Sequence, residues 1–179
     1  MGDTFITTYT NINFSIENAT DDMILPQDIA HSLSLLCRAN GHIKHFYSVG
    51  LHSLNCYYEA VARGLSERVQ RSCLLHDASE AYLSDLTRPV KTCIPKYLVI
   101  EANVQNRIYS RFRLADLTED ERRLTREIDD ALLLHEFDRL HAGGAWETPP
   151  PVMAQLRFDF IVPALIELEL LELLLKSDA

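Results

Sequence analysis

The sequence predicts an all-α fold, a compact helical bundle preceded by a short N-terminal β-hairpin. Three observations carry this. From Pro26 onward apolar residues recur at i, i+3 and i+4, the period of a helix packed on one face. Glycine and proline interrupt that pattern at helix-length intervals. Before position 26 the pattern alternates weakly instead, through Phe5, Ile6, Tyr9, Ile12, Phe14 and Ile16, with asparagine and threonine as turn formers.

Along the chain, Pro26 suits a first helical turn, and Ile29, Leu33, Leu36 and Cys37 form the apolar stripe of that first helix. A second helix runs from about His45 to Ala62 and is stopped by Gly64. A third begins near Ser66 and continues through RVQRSCLLHDASEAYL. Two prolines then make LTRPVKTCIPKY a loop. Two more helices are expected at about 96–113 and 119–141, the latter opening on Thr118 and Glu121 at capping-box spacing. Gly143, Gly144 and Pro149-Pro150-Pro151 break the chain before a long final helix over 150–176, with Pro163 as a kink. Without repeats or a linker, 1–179 reads as one domain: a hairpin or extension (1–25), a core (26–142) and the C-terminal helix.

A chain of 179 residues, 47% of them hydrophobic, can bury a sizeable core. The formal net charge of −9 argues against a protein that coats nucleic-acid polymers, which needs a basic field. It leaves room for a small anionic substrate. Cys37, Cys56, Cys73 and Cys93 form no CxxC pair and read as buried thiols in a reducing cytoplasm. The N-terminus lacks the basic and apolar regions of a targeting signal. Glu167, Glu169 and Glu172 interrupt the most apolar stretch, so no membrane span is expected. The many leucines of that stretch predict a homo-oligomer interface, or alternatively a core helix buried on all sides.

The chemistry concentrates at His76-Asp77, where the apolar Cys73, Leu74 and Leu75 precede two polar side chains. Polar groups sent into a core need partners, and a metal ion is an efficient one. On a continuous helix Glu80 shares their side. The bland alternative is a satisfied core histidine beside a capping aspartate. His52 lies two helical turns after His45, which would put both on one face; they can equally be histidines without a ligand role. The third signal is an aspartate beside the apolar run of REIDDALLLHEF. Asp129, with Glu136 two turns on, competes there with Asp130, and helical phase does not separate them. Two imidazoles and two carboxylates suit one divalent ion such as Mn, Co, Fe, Mg or Zn, without a soft-thiolate signature.

The order His…His-Asp…Asp resembles the signature of HD-domain metal-dependent phosphohydrolases. More narrowly, HFYSVGLHS and LLHDASEAYLSDLTRPVK resemble the branch containing bacterial 5′-deoxynucleotidases and their phage-borne relatives. The resemblance covers residues 28–137. It implies that His52, His76, Asp77 and Asp129 bind the metal, Asp129 being chosen because the family spacing D-x6-E fits Asp129 and Glu136. It implies catalytic roles for Glu80, beside the metal and water, and for Asp85, near the scissile ester. It also implies substrate contacts from Arg38 and Lys91; His42 and His45 are further candidates for touching phosphate or sugar. A carboxylate facing phosphate requires at least one raised pKa in this set. One departure stands out: the family has tryptophan after the arginine, and Ala39 stands here, the single tryptophan being Trp146. The expected activity is release of phosphate from deoxynucleoside 5′-monophosphates. Alternatives are a deoxynucleoside triphosphate triphosphohydrolase, an alarmone hydrolase, and a non-catalytic metal-binding regulatory protein.

Overall fold

The computed structural model describes residues 4–178; the first three residues of the expected hairpin segment and the last residue of the chain lie outside it. Strands β1 (Phe5–Thr7) and β2 (Asn13–Ser15) pair antiparallel with Ile6 opposite Phe14. Asn11 turns the chain between them in the left-handed region, at φ 66. Phe14 leaves the hairpin to become fully buried, stacked 4.0 Å from the Tyr82 ring. Thr10 clips the hairpin to helix α1 (Pro26–Leu35): its backbone N–H and hydroxyl donate to the two carboxylate oxygens of Asp28 at 2.7 and 2.8 Å.

Helix α2 (Val49–Ala62) starts four residues later than His45, because Ser48 caps it by accepting from Leu51 N. His45 therefore lies in the preceding loop, and the shared face expected for His45 and His52 does not form. Helix α3 (Glu67–Leu75) is capped likewise by Ser66. It ends at Leu75, not at Leu83. Ala78, Glu80 and Ala81 donate to residues three back, a tight turn that replaces the expected continuous helix and leaves only the short α4 (Glu80–Leu83). Gln105 fixes that turn from outside: its amide donates to Leu75 O at 2.8 Å and accepts from Ser79 N at 3.0 Å. The expected loop after it contains the five-residue α5 (Arg88–Thr92). Helix α6 (Pro95–Arg111) follows, then α7 (Glu119–Leu140) with the full Thr118/Glu121 capping box.

The last helix, α8 (Pro163–Asp178), begins at Pro163 and not near 150. Pro163 fills its first turn, where a missing N–H costs nothing, so there is no kink. The preceding segment is held to α2 by buried polar side chains. Asn55 accepts from Arg157 N and donates to Arg157 O, while Glu59 accepts from Met153 N and Ala154 N at 2.9 and 2.8 Å. Three consecutive prolines disfavour helix at its start, and side chains of α2 supply the partners its backbone lacks.

Helix α8 packs on α1, α2 on α3, and α3 on α7. Ile166, Leu170 and Leu174 of α8 are buried, whereas Leu165, Leu168 and Leu175 are exposed. The helix is thus buried on one side only. No helix among the described residues is long and apolar enough to cross a membrane. Of the four thiols expected to be buried, Cys56 and Cys73 are, Cys37 is half-buried, and Cys93, just past α5, is exposed. Gly50 lets α8 approach α2: a Cβ there would meet Leu170 Cδ1 at 2.8 Å and Leu33 O at 3.0 Å. Gly50→Val is expected to destabilise the fold by about 1–3 kcal/mol, the usual cost of overpacking, read as a lowered denaturant midpoint. An unchanged midpoint would show that α8 is not packed this closely.

Candidate metal centre

Three helices meet over a small apolar layer of Cys56, Ala60, Val69, Cys73, Ile128 and Leu132. The polar groups above it come from α2 (His52), the end of α3 and the turn after it (His76, Asp77), and α7 (Asp129). Their donor atoms converge. His52 Nε2 lies 3.1 Å from His76 Nε2, 3.2 Å from Asp129 Oδ1 and 3.7 Å from Asp77 Oδ2. His76 Nε2 lies 3.2 Å from Asp77 Oδ2 and 3.6 Å from Asp129 Oδ1. Asp130, the competitor, points elsewhere: it is exposed and pairs with Arg88 at 2.7 Å.

The far side of each imidazole is already engaged. His76 Nδ1 donates to Cys73 O at 2.8 Å, since a carbonyl can only accept. His52 Nδ1 meets Glu136 Oε1 at 2.5 Å. Both Nε2 atoms are then left as lone pairs facing each other at 3.1 Å, an arrangement that needs a positive charge between them. The electrostatics agree. Burial alone would lower the pKa of His76, but Asp77 and Asp129 raise it well above the usual value. For His52, burial and Arg38 oppose protonation, and Glu136 and Asp129 outweigh them. Burial would raise both aspartates, yet His76 holds Asp77, and the two histidines hold Asp129, well below the usual carboxylate range.

Cys56 adds to the cluster. A nitrogen from each of His52 and His76 and the Cys56 sulfur lie within 4.8 Å of one another, so this buried group can hold a metal ion. Burial, and next Asp129, push the Cys56 thiol far up, which keeps it protonated, whereas Asp77 and Asp129 stand ready as anions.

An outer layer fixes this geometry. Glu136 accepts from His52, from Tyr47 OH at 3.0 Å and from Arg38 Nε at 3.1 Å. Asn55 donates to Tyr47 OH at 2.9 Å, which links the centre to the segment held by Arg157. Arg38 also donates from Nη1 to Asp77 Oδ2 at 3.3 Å. It stands on a tight turn (Arg38–Gly41) in which Ala39 and Asn40 adopt positive φ, 52 and 51. Asp85 Oδ2 accepts from Ala39 N at 3.2 Å and so steadies that turn. Sequence reasoning missed Arg88, whose Nη2 donates to Asp129 Oδ2 at 2.8 Å.

The cluster borders a cavity of about 390 Å3, the size of a small-molecule site. Arg38, Asp77, Glu80, Asp85, Lys91 and Asp129, six of the residues singled out from sequence, line it together. His52 and His76 lie beneath, in contact with Asp77 and Asp129. His45 is not brought there. It is exposed and its Nε2 sits 2.7 Å from Phe158 O. His42 does not line the cavity either. Lys91 is engaged by two carboxylates, Glu80 at 3.1 Å and Glu101 at 2.5 Å. Glu80 is buried, and its Oε2 has no hydrogen-bond partner among the described residues. Burial first, then Asp77 and Asp85, raise its pKa well above normal, so a raised carboxyl lines the cavity.

Fold and site together define a mostly α-helical protein with a buried histidine cluster that can hold a metal ion beside a ligand-sized cavity. No family model matches the chain. It is similar to the uncharacterized protein YfdR of Escherichia coli, 34% identical over 110 residues, 62% of this chain and 59% of that one. It is also similar to an uncharacterized protein of Rhodobacter capsulatus, 39% identical over 94 residues, 49% of this chain and 47% of the relative. The matched region thus spans about half to three-fifths of the relatives' length.

Proposed function

We propose that the protein is a metal-dependent phosphohydrolase of the HD-domain type, acting on deoxynucleoside 5′-monophosphates. One observation carries the reading: His52, His76, Asp77 and Asp129 converge beside a cavity with their donor atoms 3.1–3.7 Å apart. Donors bound about 2.0–2.2 Å from one ion stand roughly 3.0–3.4 Å apart in octahedral or tetrahedral geometry, so the residues fit a divalent metal. An ion held there supplies positive charge for a phosphate and lowers the pKa of a water molecule.

The chain's own residues divide the remaining work. Glu136 keeps the His52 proton on Nδ1, so that Nε2 presents its lone pair. Arg38 holds Asp77 and Glu136 in register and brings a fixed cation to the cavity wall, where it offsets phosphate charge. Glu80 holds a proton at the unpartnered Oε2 while Lys91 binds Oε1, which makes it the group able to exchange a proton at the reacting centre. Asp85 braces the Arg38 turn from within the cavity.

The test is a panel of nucleoside mono- and triphosphates with Mn²⁺, Co²⁺ or Mg²⁺, with products identified. Inorganic phosphate from deoxynucleoside monophosphates is the expected result. Triphosphate released from triphosphates would instead select the triphosphohydrolase alternative, and no phosphorus-containing product with any metal would defeat both.

A further inference from the structure

The cavity has two unlike ends. Its floor carries the carboxylates and cations described above, and its far wall is aromatic. Helix α7 supplies both ends from one face, with Asp129 at the floor and Phe137 two turns further on. Eight residues at the helical rise set these positions about 12 Å apart, roughly the length of a mononucleotide. His141, just past the helix, stacks on Phe137 with ring centroids 4.0 Å apart and planes 8° from parallel. Gly144 then turns the chain at φ 72, and Trp146 comes back against Phe137, edge to face at 4.7 Å. Trp146 lines the cavity yet remains 60% exposed.

This wall has little to do in a protein that binds phosphate alone. A phosphate, or a sugar phosphate, would occupy the charged floor and leave the exposed Trp146 ring without a ligand group against it. Trp146 is a rigid apolar ring that stays more than half exposed and is not consumed by the core. His141 Nε2 is also buried without a hydrogen-bond partner, a polar atom beside the rings that a heterocycle edge could satisfy.

We infer that Trp146, Phe137 and His141 form a base-binding wall, against which the planar heteroaromatic ring of the substrate stacks while its phosphate meets the charged floor. This rests on the phosphohydrolase reading for the floor and adds which residues hold the base of the nucleotide. Stacking tolerates any base, because every base has a π-face, so the wall selects nucleotides over other phosphate esters without choosing strongly among bases.

The chain contains a single tryptophan, so its fluorescence reports on this wall alone. The experiment mixes the full chain with Mg²⁺ and either deoxyadenosine 5′-monophosphate or 2-deoxyribose 5-phosphate in a stopped-flow fluorimeter, before turnover. The nucleotide is expected to quench Trp146 and the sugar phosphate to leave it unchanged. Trp146→Ala, at a position 60% exposed, is expected to weaken nucleotide binding by about ten-fold or more in calorimetry, with a melting curve to show that the variant is folded. Equal quenching by both ligands, no quenching by either, or equal nucleotide affinity of variant and wild type would overturn the inference. Phosphate release assayed in parallel separates the two ideas. Release with flat fluorescence rejects the base wall and keeps the hydrolase, whereas quenching without release keeps the wall and rejects the hydrolase.

Discussion

Asp77→Ala and Asp129→Ala are each expected to abolish stoichiometric metal binding and phosphate release together. Asp77 Oδ2 and Asp129 Oδ1 are the two anionic donors of the cluster, each within 3.2 Å of a histidine Nε2. Removing either leaves two neutral imidazoles and a single carboxylate, a weaker donor set for a divalent ion that prefers oxygen ligands. The loss should exceed the roughly 10–100-fold fall in metal affinity that follows removal of an outer hydrogen-bond partner. Asp130→Ala is the matched control, because Asp130 is exposed and paired only with Arg88. It should keep its metal. The measurement is elemental analysis of purified protein after dialysis against Mn²⁺, with a melting curve to show that each variant is folded. A folded Asp77→Ala or Asp129→Ala protein that retained one metal per chain would remove that residue from the site. The group of His52, Cys56 and His76 would then be the centre.

Glu80→Gln should separate chemistry from binding. The amide keeps the size of Glu80 and can still accept from Lys91 Nζ at Oε1, so the local packing and the position of Lys91 should survive. What it loses is the proton that burial and the neighbouring Asp77 and Asp85 keep on the carboxyl. Turnover is expected to fall by about 10²–10⁴-fold, the scale of a missing general acid–base group, with metal content and nucleotide affinity retained. Initial rates, elemental analysis and a nucleotide titration on the same preparation read the three quantities. Turnover at the wild-type rate would leave Glu80 without a proton-transfer role. Loss of metal would place it among the ligands.

Much of the architecture was legible because helices announce themselves locally. Ile29 and Leu33 of the apolar stripe, the Ser66 start of α3 and the Thr118/Glu121 box are all short-range patterns that form where they were read. Leu36 and Cys37 of the same stripe lie past the end of α1 in extended backbone. The misreadings share a cause as well. Ser48 and the turn after Leu75 stop helices whose apolar pattern runs on. Capping and a bridging glutamine from α6 override periodicity there, and Gln105 lies thirty residues from Leu75 in sequence. The segment before Pro163 reads as helix by composition, but its backbone bonds to Asn55 and Glu59, partners that exist only once α2 is packed against it.

For the site, sequence by itself singled out His52, His76, Asp77 and the Asp129–Asp130 pair, because polar residues beside apolar runs need a reason to be buried. A helix pattern has a period of 3.6, so two adjacent aspartates differ by about 100° in direction, too little to choose between them without knowing what lies opposite. Tertiary structure decided that choice by setting Asp129 3.2 Å from His52 and Asp130 on Arg88. It also decided which candidates meet, excluding His45, and it brought Trp146 onto Phe137 at the cavity wall. Sequence records which side chains are unusual for their surroundings; the distances between them depend on how helices far apart in the chain pack, and only the folded molecule contains those.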